Sequence, residues 1–342
     1  MSTSGVVTYR GDRDTIIKGA LRLCNAYDPE NSAGPSTNQI TFGAEALNML
    51  VKSWEAHGLQ LWERKWGVIF PRVNQSVYVL GSPGAAGDHA CLATPLGYGN
   101  FISTTLSAAA ASGAATISVT SITSAYTVGI SVVTMTTLKA IGIELDTGDL
   151  QWTTINGAPS GTTVTLADVL TGAAASGNRV FYYATKMVRP LRILDGFVRQ
   201  LSSGSDIPIN TIPRENYNRF GIKTSTGPPV QLYYDPQINS GYVYIYPVFS
   251  NVDQLLFIEF QSPIEDFSTS TNDFDLPQEW GEALKFNLAL AIAPEYEVSE
   301  SKFKQIKLLA DTSFDLVNDY DQENTSLFLQ PNQMLMENFS RA

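Results

Sequence analysis

The sequence predicts an α+β fold, in which helices at both ends of the chain flank a central antiparallel β region that carries a small inserted β-sandwich. Three observations predict this class. Apolar residues recur at helical spacing near both ends of the chain. Short β-branched or alternating runs fill the middle. Charged residues become sparse between Gly81 and Val180, which indicates a separate domain there.

Residues 1–13 are small and polar, so we expect them to be disordered. Two helices are predicted after them. Asp12 or Asp14 can cap the first helix. The second helix is predicted from about Gln39 to His57, with Gly58 as its stop. One face of each helix is apolar, and the two stripes are Ile16, Ile17, Ala20, Leu21, Cys24 and Tyr27, then Ile40, Ala44, Leu47, Val51 and Trp54.

A low-charge segment at residues 81–180 predicts an inserted β-sandwich or barrel between the two parts of the body, 14–80 and 181–320. Only seven of its hundred residues are charged. Gly and Ser clusters separate short β-branched runs, as in small antiparallel domains. The runs are Thr116–Thr120, Ile130–Thr134, Gln151–Ile155 and Thr162–Leu166. Because both ends of the insert join the body at one edge, we expect it to project outward and the body to fold without it.

The remaining residues of the body are predicted to form strands, followed by helices near the end of the chain. The strand-like runs are Trp66–Phe70 and Val77–Leu80 before the insert, and Met187–Leu194, Val230–Tyr234, Tyr242–Tyr246 and Leu255–Phe260 after it. A short helix is expected at Pro213–Phe220. A longer helix opens at Pro277 with Asp275 as its cap, and the last runs from Ser301 to about Tyr320, with Phe303, Ile306, Leu309, Phe314 and Val317 as its apolar stripe. Residues 321–342 are predicted to be an extended tail that orders on a partner.

Composition excludes several classes of function. The net charge of -11 and the lack of Lys and Arg clusters argue against nucleic-acid affinity as the main role. Cys24 and Cys91 are expected to be free thiols of a chain folded in a reducing cytoplasm. No signal peptide and no run long enough for a membrane span are apparent. The acid-rich run from Glu295 to Glu323 is either a solvated helix face or a docking or channel surface.

Motifs for chemistry are missing from the sequence. It has two histidines, His57 and His89, and no HExxH, P-loop or GxSxG pattern. No metal and no cofactor are therefore expected. Paired acids beside tryptophans could hydrolyse a glycan, and Glu45 and Glu55 near Trp54 are the candidates for that reading. The simpler reading is that the tryptophan is core and the acids are solvated. We predict that the chain is not an enzyme.

Three ordered motifs resemble the head-to-tail adaptor family of short-tailed phages, which includes tail accessory factors and tail tubular proteins. The first is Trp54-Glu-Ala-His-Gly58-Leu-Gln-Leu-Trp62, after two helices. The second joins Pro213–Tyr217 to Gly227–Asp235 and Tyr242–Pro247. The third is Leu276–Trp280 followed by Leu288–Tyr296. The residues taken as the family's core motif are Trp54, Gly58, Leu61, Trp62, Tyr217, Tyr233, Tyr244, Pro247 and Trp280. The inserted domain is similar to the Ig-like or carbohydrate-module-like inserts of such proteins.

The resemblance implies a structural virion protein in the neck of the tail, assembled in the host cytoplasm. Its subunits would form a homo-oligomeric ring, commonly a dodecamer, between the portal protein and the tail nozzle or fibre proteins. Double-stranded DNA would pass through the ring without sequence-specific binding, and the ring would help to retain it. The tail is expected to dock on the portal through its apolar residues, which are Leu327, Phe328, Leu329, Met334, Leu335, Met336 and Phe339.

Two other functions remain open on the sequence alone. The chain could be a glycan-binding adhesin or decoration protein that uses the Ig-like insert. Some members of the resembling family have been credited with cell-wall hydrolysis, so a peptidoglycan hydrolase that uses Glu45 or Glu55 is the second alternative. The sequence gives no motif that would carry hydrolysis.

Overall fold

The computed structural model describes residues 11–30, 34–57, 64–81, 87–94, 101–123, 133–270 and 276–320. The chain divides into two compact units, one formed by Met1–Leu61 with Glu265–Ala342 and the other by Trp62–Ile264. The first unit is helical, and antiparallel sheets dominate the second. The predicted α+β class with a central β region is confirmed.

Five α-helices lie in the described residues, four of them in the helical unit. They are α1 (Arg13–Leu23), α2 (Thr37–His57), α3 (Arg214–Asn218), α4 (Trp280–Ile292) and α5 (Glu300–Tyr320), and a 3₁₀ turn follows α4 at Ala293–Tyr296. Of the two predicted candidates, Asp12 and Asp14, it is Asp12 that caps α1, because its carboxylate accepts a hydrogen bond of 2.7 Å from the backbone N–H of Thr15. Ser36 and Gln39 form a reciprocal capping box at the start of α2.

Helix α4 is the centre of the helical unit and packs against α1, α2 and α5. Its side chains Trp280, Leu284 and Leu288 are fully buried. The helix begins at Trp280, three residues after the predicted start, although the carbonyl of Pro277 already accepts a hydrogen bond from the Trp280 N–H. The predicted cap, Asp275, lies outside the described residues. A helix that is apolar on most of its surface needs neighbours on several sides, and α4 has three.

The β unit contains a body made of two sheets that share one core. The strands of the unit are β1 (Arg64–Ile69), β2 (Val77–Leu80), β3 (Ala90–Ala93), β4 (Phe101–Thr105), β5 (Thr116–Ser118), β6 (Ala140–Glu144), β7 (Leu150–Thr154), β8 (Thr163–Thr165), β9 (Arg179–Tyr183), β10 (Arg192–Gln200), β11 (Asp206–Pro208), β12 (Asn210–Thr211), β13 (Gln231–Pro236), β14 (Gly241–Tyr246) and β15 (Gln254–Gln261). The body sheets have the orders β11-β10-β15-β1-β3 and β12-β13-β14-β2. Their inner faces meet at Ile69, Tyr78, Leu232 and Phe260.

Two further sheets, formed mainly by residues of the predicted insert, pack against each other. Their orders are β4-β9-β6-β7 and β5-β8. Ile102 and Ile141 from the larger sheet and Ile117 and Val164 from the smaller one belong to the same apolar cluster. These two sheets therefore share an apolar core of their own. The Ig-like character of the insert and its boundaries at residues 81 and 180 stay predictions. The run Ile130–Thr134 lies mostly outside the described residues.

One predicted strand is misplaced. The run Met187–Leu194 was expected to be extended throughout, but β10 starts at Arg192 and continues to Gln200. Pro190 interrupts the run, and a proline has no backbone N–H to donate to a neighbouring strand. The ladder with β15 therefore begins only after this residue.

The outer edge of β2 is capped by side chains. This strand ends its sheet. The N–H of Val79 donates to the carboxylate of Asp88 over 2.8 Å, and the carbonyl of Val79 accepts from the Asp88 N–H over 2.9 Å. The carbonyl of Val77 accepts from the side-chain amide of Gln75. Backbone groups that would otherwise face outward are therefore already hydrogen-bonded.

Candidate functional site: a polar cleft and two exposed helix faces

Two predicted motif residues of the helical unit, Trp54 and Trp280, lie in its core. Trp54 of α2 packs edge-on against Trp280 of α4, with ring centroids 5.4 Å apart, and its centroid lies 5.1 Å from that of Phe314 of α5. Both tryptophans are buried. Three helices are thus held together by one aromatic cluster, which is a packing role. Gly58, Leu61 and Trp62 lie outside the described residues.

The motif tyrosines of the β unit form a second aromatic cluster. Tyr233 and Tyr244 are directly paired between β13 and β14, and their ring centroids are 5.3 Å apart. Tyr217 of α3 covers both rings and is itself buried. Burial raises the pKa of Tyr217 above its ordinary value. Pro247 follows β14 through a cis peptide bond. These ring contacts fix α3 onto the sheet, which is a packing role.

The tail was predicted to dock on a portal through seven apolar residues. All seven of them, from Leu327 to Phe339, lie outside the described residues. Their role remains a prediction from the sequence.

A polar cleft of about 650 Å³ opens in the β unit. Its walls come from the segment after β1, the segment before β3, and the region around β7. The aromatic and charged side chains that line it are Phe70, Arg72, Asp88, His89, Asp149 and Trp152. Phe70 anchors the cleft, since its ring packs against Phe101, Trp152, Phe181 and Tyr183.

His89 is a titratable group that lines this cleft. Its ring stacks on Trp152 with centroids 3.9 Å apart and an angle of 5° between planes, and its Nδ1 lies 2.8 Å from the hydroxyl of Tyr183. Burial, reinforced by the charges of Lys186 and Arg72, lowers the pKa of His89 to about 4. The imidazole is therefore neutral at neutral pH, and which of its two nitrogens carries the proton depends on the bond to Tyr183.

Trp152 offers no free face to a sugar ring. A Cβ built on Gly142, its cross-strand partner, would lie 2.8–2.9 Å from three atoms of the indole, so this glycine backbone contacts one face of the ring. His89 covers the other face. Carbohydrate recognition by aromatic stacking needs an accessible face of the indole ring. The ring of Trp152 instead packs between His89 and Gly142 of β6.

We expect the cleft to make folding stability depend on pH. The unfolded chain protonates His89 near its ordinary pKa of about 6.5, whereas the folded chain does so only near 4. Between these values the unfolded state binds more protons, so the free energy of unfolding falls as the pH is lowered. The loss at about pH 5 relative to about pH 7 should be roughly 2 kcal/mol, measured by urea unfolding.

The control for this prediction is His89→Phe, which retains a flat ring for Trp152 and cannot titrate. Carboxylates contribute equally to both proteins, so the difference between them isolates the histidine. An identical pH dependence in the two proteins would contradict the prediction.

The two carboxylates considered for glycan hydrolysis lie in different surroundings. Glu45 is exposed on α2, whereas Glu55 lies 3.4 Å from Lys52 in an ion pair. Trp54 is buried against Trp280, so it cannot stack on a sugar. Among the described residues, no group of three or more His, Cys, Asp or Glu side chains could hold a metal ion.

The two cysteines are buried within their units. Burial raises the pKa of Cys24 to about 11 and that of Cys91 also above its ordinary value. Neither thiol is poised as a nucleophile, because the reactive form is the thiolate.

Two long helices of the helical unit expose apolar side chains. On α2, Phe42 is 55% and Met49 60% exposed, and on α5, Leu308 is 67%, Leu316 72% and Leu309 43% exposed. Leu309 was predicted to be buried, and that prediction is wrong. The buried stripe passes through Ile306, Ala310 and Val317 instead, because the small Ala310 faces α4, where the side-chain amide of Asn287 donates to its carbonyl.

Comparison with known proteins adds no family to these features. No model of a known protein family matches the chain, and no curated protein matches it significantly. Among the described helices, none combines the length and apolar character that crossing a membrane requires.

Proposed function

We propose that this chain is a structural virion protein, the adaptor that joins a phage portal to the tail as a ring of identical subunits. The observation that carries the proposal is the exposure of large apolar side chains on two different helices of one unit, α2 and α5. Single exposed apolar residues are ordinary on a soluble protein, but long helices that each present several favour contact with other proteins.

A ring requires two different and complementary faces on each subunit. The exposed side of α2 has the form of such a face, because Phe42, Ala46, Met49, Ser53 and Ala56 follow one another at alternating spacings of four and three residues. That spacing keeps small and apolar residues in line along a helix, as in the seam of a coiled coil. Helix α5 supplies an exposed apolar surface of its own.

In the described ranges the one strongly shifted histidine, His89, is packed between Trp152 and Tyr183. The net charge of -11 suits a channel wall along which DNA slides without adhering. The order of the three sequence motifs along the chain is the reason for choosing the adaptor family over other assembly proteins.

The proposal is tested by mixing the full chain with the portal protein encoded by the same genome and weighing the complexes by native mass spectrometry. We expect several copies, commonly twelve in this family, to bind one portal ring. A chain truncated after Gln322 should lose this binding, since the apolar tail beyond that residue would be the part that orders on the portal.

The truncated chain must be shown to fold, and the results that would refute the proposal can be stated in advance. Its urea unfolding curve should match that of the full chain, because the helices that form the core end at Tyr320. Unchanged portal affinity after truncation would refute tail docking. No binding of the full chain to the portal would refute the adaptor function itself.

A further inference from the structure

The exposed face of α5 carries two leucines placed symmetrically about Thr312. Leu308 and Leu316 lie four residues before and after Thr312, and Gln305 and Asp319 lie seven residues before and after it. All five side chains are exposed. With 3.6 residues per turn they fall within an arc of about 80°. Because the two leucines lie at equal distances on either side of Thr312, an antiparallel copy of the same helix would place each leucine opposite the other.

The charges of α5 are separated along its length. Its first half carries the three lysines, and its second half carries three aspartates; these residues are Lys302, Lys304, Lys307, Asp311, Asp315 and Asp319. Acidic residues are unfavourable near the C-terminal end of a helix, where the backbone dipole is negative. The last turn of α5 has no basic residue to offset them. The isolated helix therefore has an electrostatic arrangement that a neighbour of opposite direction would improve.

We propose that two copies of this chain pair through α5, antiparallel, about a two-fold axis at Thr312. Leu308 of each copy then packs against the partner's Leu316, and the two Thr312 side chains meet on the axis. Along one flank, Lys304 comes level with the partner's Asp319, and this ion pair occurs twice. Along the opposite flank, Leu309 adds to the apolar contact with the partner's Leu316.

Charge complementarity selects a second copy as the occupant. A parallel arrangement would place lysines beside lysines and aspartates beside aspartates. The chain's own residues 321–342 contain three acids and one arginine, so they do not match the acidic half of α5. In the monomer Lys304 pairs with Glu300 over 2.7 Å, but both side chains are largely exposed. Such a surface pair contributes little and can exchange for the contact between copies.

The pairing goes beyond the proposed ring. A two-fold contact uses the same patch on both subunits and so joins two copies without closing a larger ring. The pair is thus the state of the free protein, in which the α5 leucines cover one another. Assembly into a ring would replace this contact with others.

Sedimentation equilibrium of the full chain tests the pairing. We expect a monomer–dimer equilibrium, and Leu316→Glu should weaken the dimer by at least about tenfold because it places a carboxylate opposite Leu308. Met49→Glu, which makes the same kind of change on α2, should leave the equilibrium unchanged. Lys304→Glu should weaken the dimer, and the double change Lys304→Glu with Asp319→Lys should restore it.

A cross-linking variant locates the axis. Thr312→Cys should form a disulfide-linked dimer under mild oxidation, because the residue meets its own copy, and the native thiols of Cys24 and Cys91 are buried. Lys307→Cys, exposed on α5 but off the stripe, is the matched control and should cross-link much less. Equal cross-linking of the two variants, or a protein that stays monomeric at high concentration, overturns the pairing. A monomer that still assembles on the portal overturns only the pairing, whereas a dimer with no portal affinity overturns only the adaptor function.

Discussion

Trp280→Ala is expected to lower the free energy of unfolding by about 3–5 kcal/mol, the range for removing a large buried aromatic side chain. Trp280 is fully buried at the start of α4, and its ring meets Trp54 of α2 and Phe314 of α5 at centroid distances of 5.4 and 6.0 Å. The change leaves a cavity among three helices. Since α4 also contacts α1, loss of its anchor affects every helix of the unit.

Urea unfolding followed by far-ultraviolet circular dichroism measures this loss. Phe42→Ala is the matched control, because it truncates an aromatic side chain that is mostly exposed on α2. It should change stability by no more than about 0.5 kcal/mol. If Trp280→Ala cost as little as the control, the aromatic cluster could not be what holds the helices together.

Gly81→Ala is expected to destabilise the β unit by roughly 3 kcal/mol, from two added causes. Gly81 has a φ of +70°, a conformation that alanine adopts only with strain. A Cβ at this position would also lie 2.2 Å from the backbone nitrogen of Arg189 and 2.4 Å from its Cα. The second cause involves backbone atoms, so no side-chain rotation can relieve it.

Gly148→Ala separates the backbone strain from the contact with Arg189. Gly148 has a φ of +88°, but a Cβ there meets no atom within 4 Å. It should cost only the backbone strain of about 1 kcal/mol. Differential scanning calorimetry of both variants gives the comparison, and equal losses would show that the approach of Arg189 to Gly81 has no energetic weight.

Local patterns predicted the elements well where one signal dominated. The period of the apolar residues placed α2 and α5 within two residues of their observed ends, and the cap of α1 is Asp12, one of the two residues predicted for it. The errors arose where two adjacent residues competed. Leu309 is more apolar than Ala310, yet the smaller residue faces α4, and only the packing of the neighbouring helix decides between them.

Features that join distant parts of the chain could not be predicted. His89 and Tyr183 are 94 residues apart and share a hydrogen bond in the cleft. Strand β3 lies inside the segment predicted as the insert, but it pairs with β1 of the body sheet, and β9 runs past the predicted end to Tyr183. Strand partners depend on the whole chain, since each ladder joins residues whose separation carries no sequence signature.

The apolar stripe on α5 shows a similar limit. Its residues are visible in the sequence, but a helix with apolar residues on two sides does not reveal which side lacks a neighbour. The position of α4 decides that Ile306 and Val317 are covered while Leu308 and Leu316 are not. Candidate interaction faces therefore emerge only after the core of the unit has been assigned.

The capped edge of β2 has a consequence for how the protein behaves when it is concentrated. An open strand edge is a template on which a strand of another molecule can add, and this leads to aggregates. Asp88 is hydrogen-bonded to both the N–H and the carbonyl of Val79, and Gln75 to the carbonyl of Val77. The carboxylate of Asp88 also repels an approaching backbone carbonyl. Molecules crowded together can then meet through their helices without their sheets fusing, so that Asp88→Ala would favour precipitation over ordered assembly.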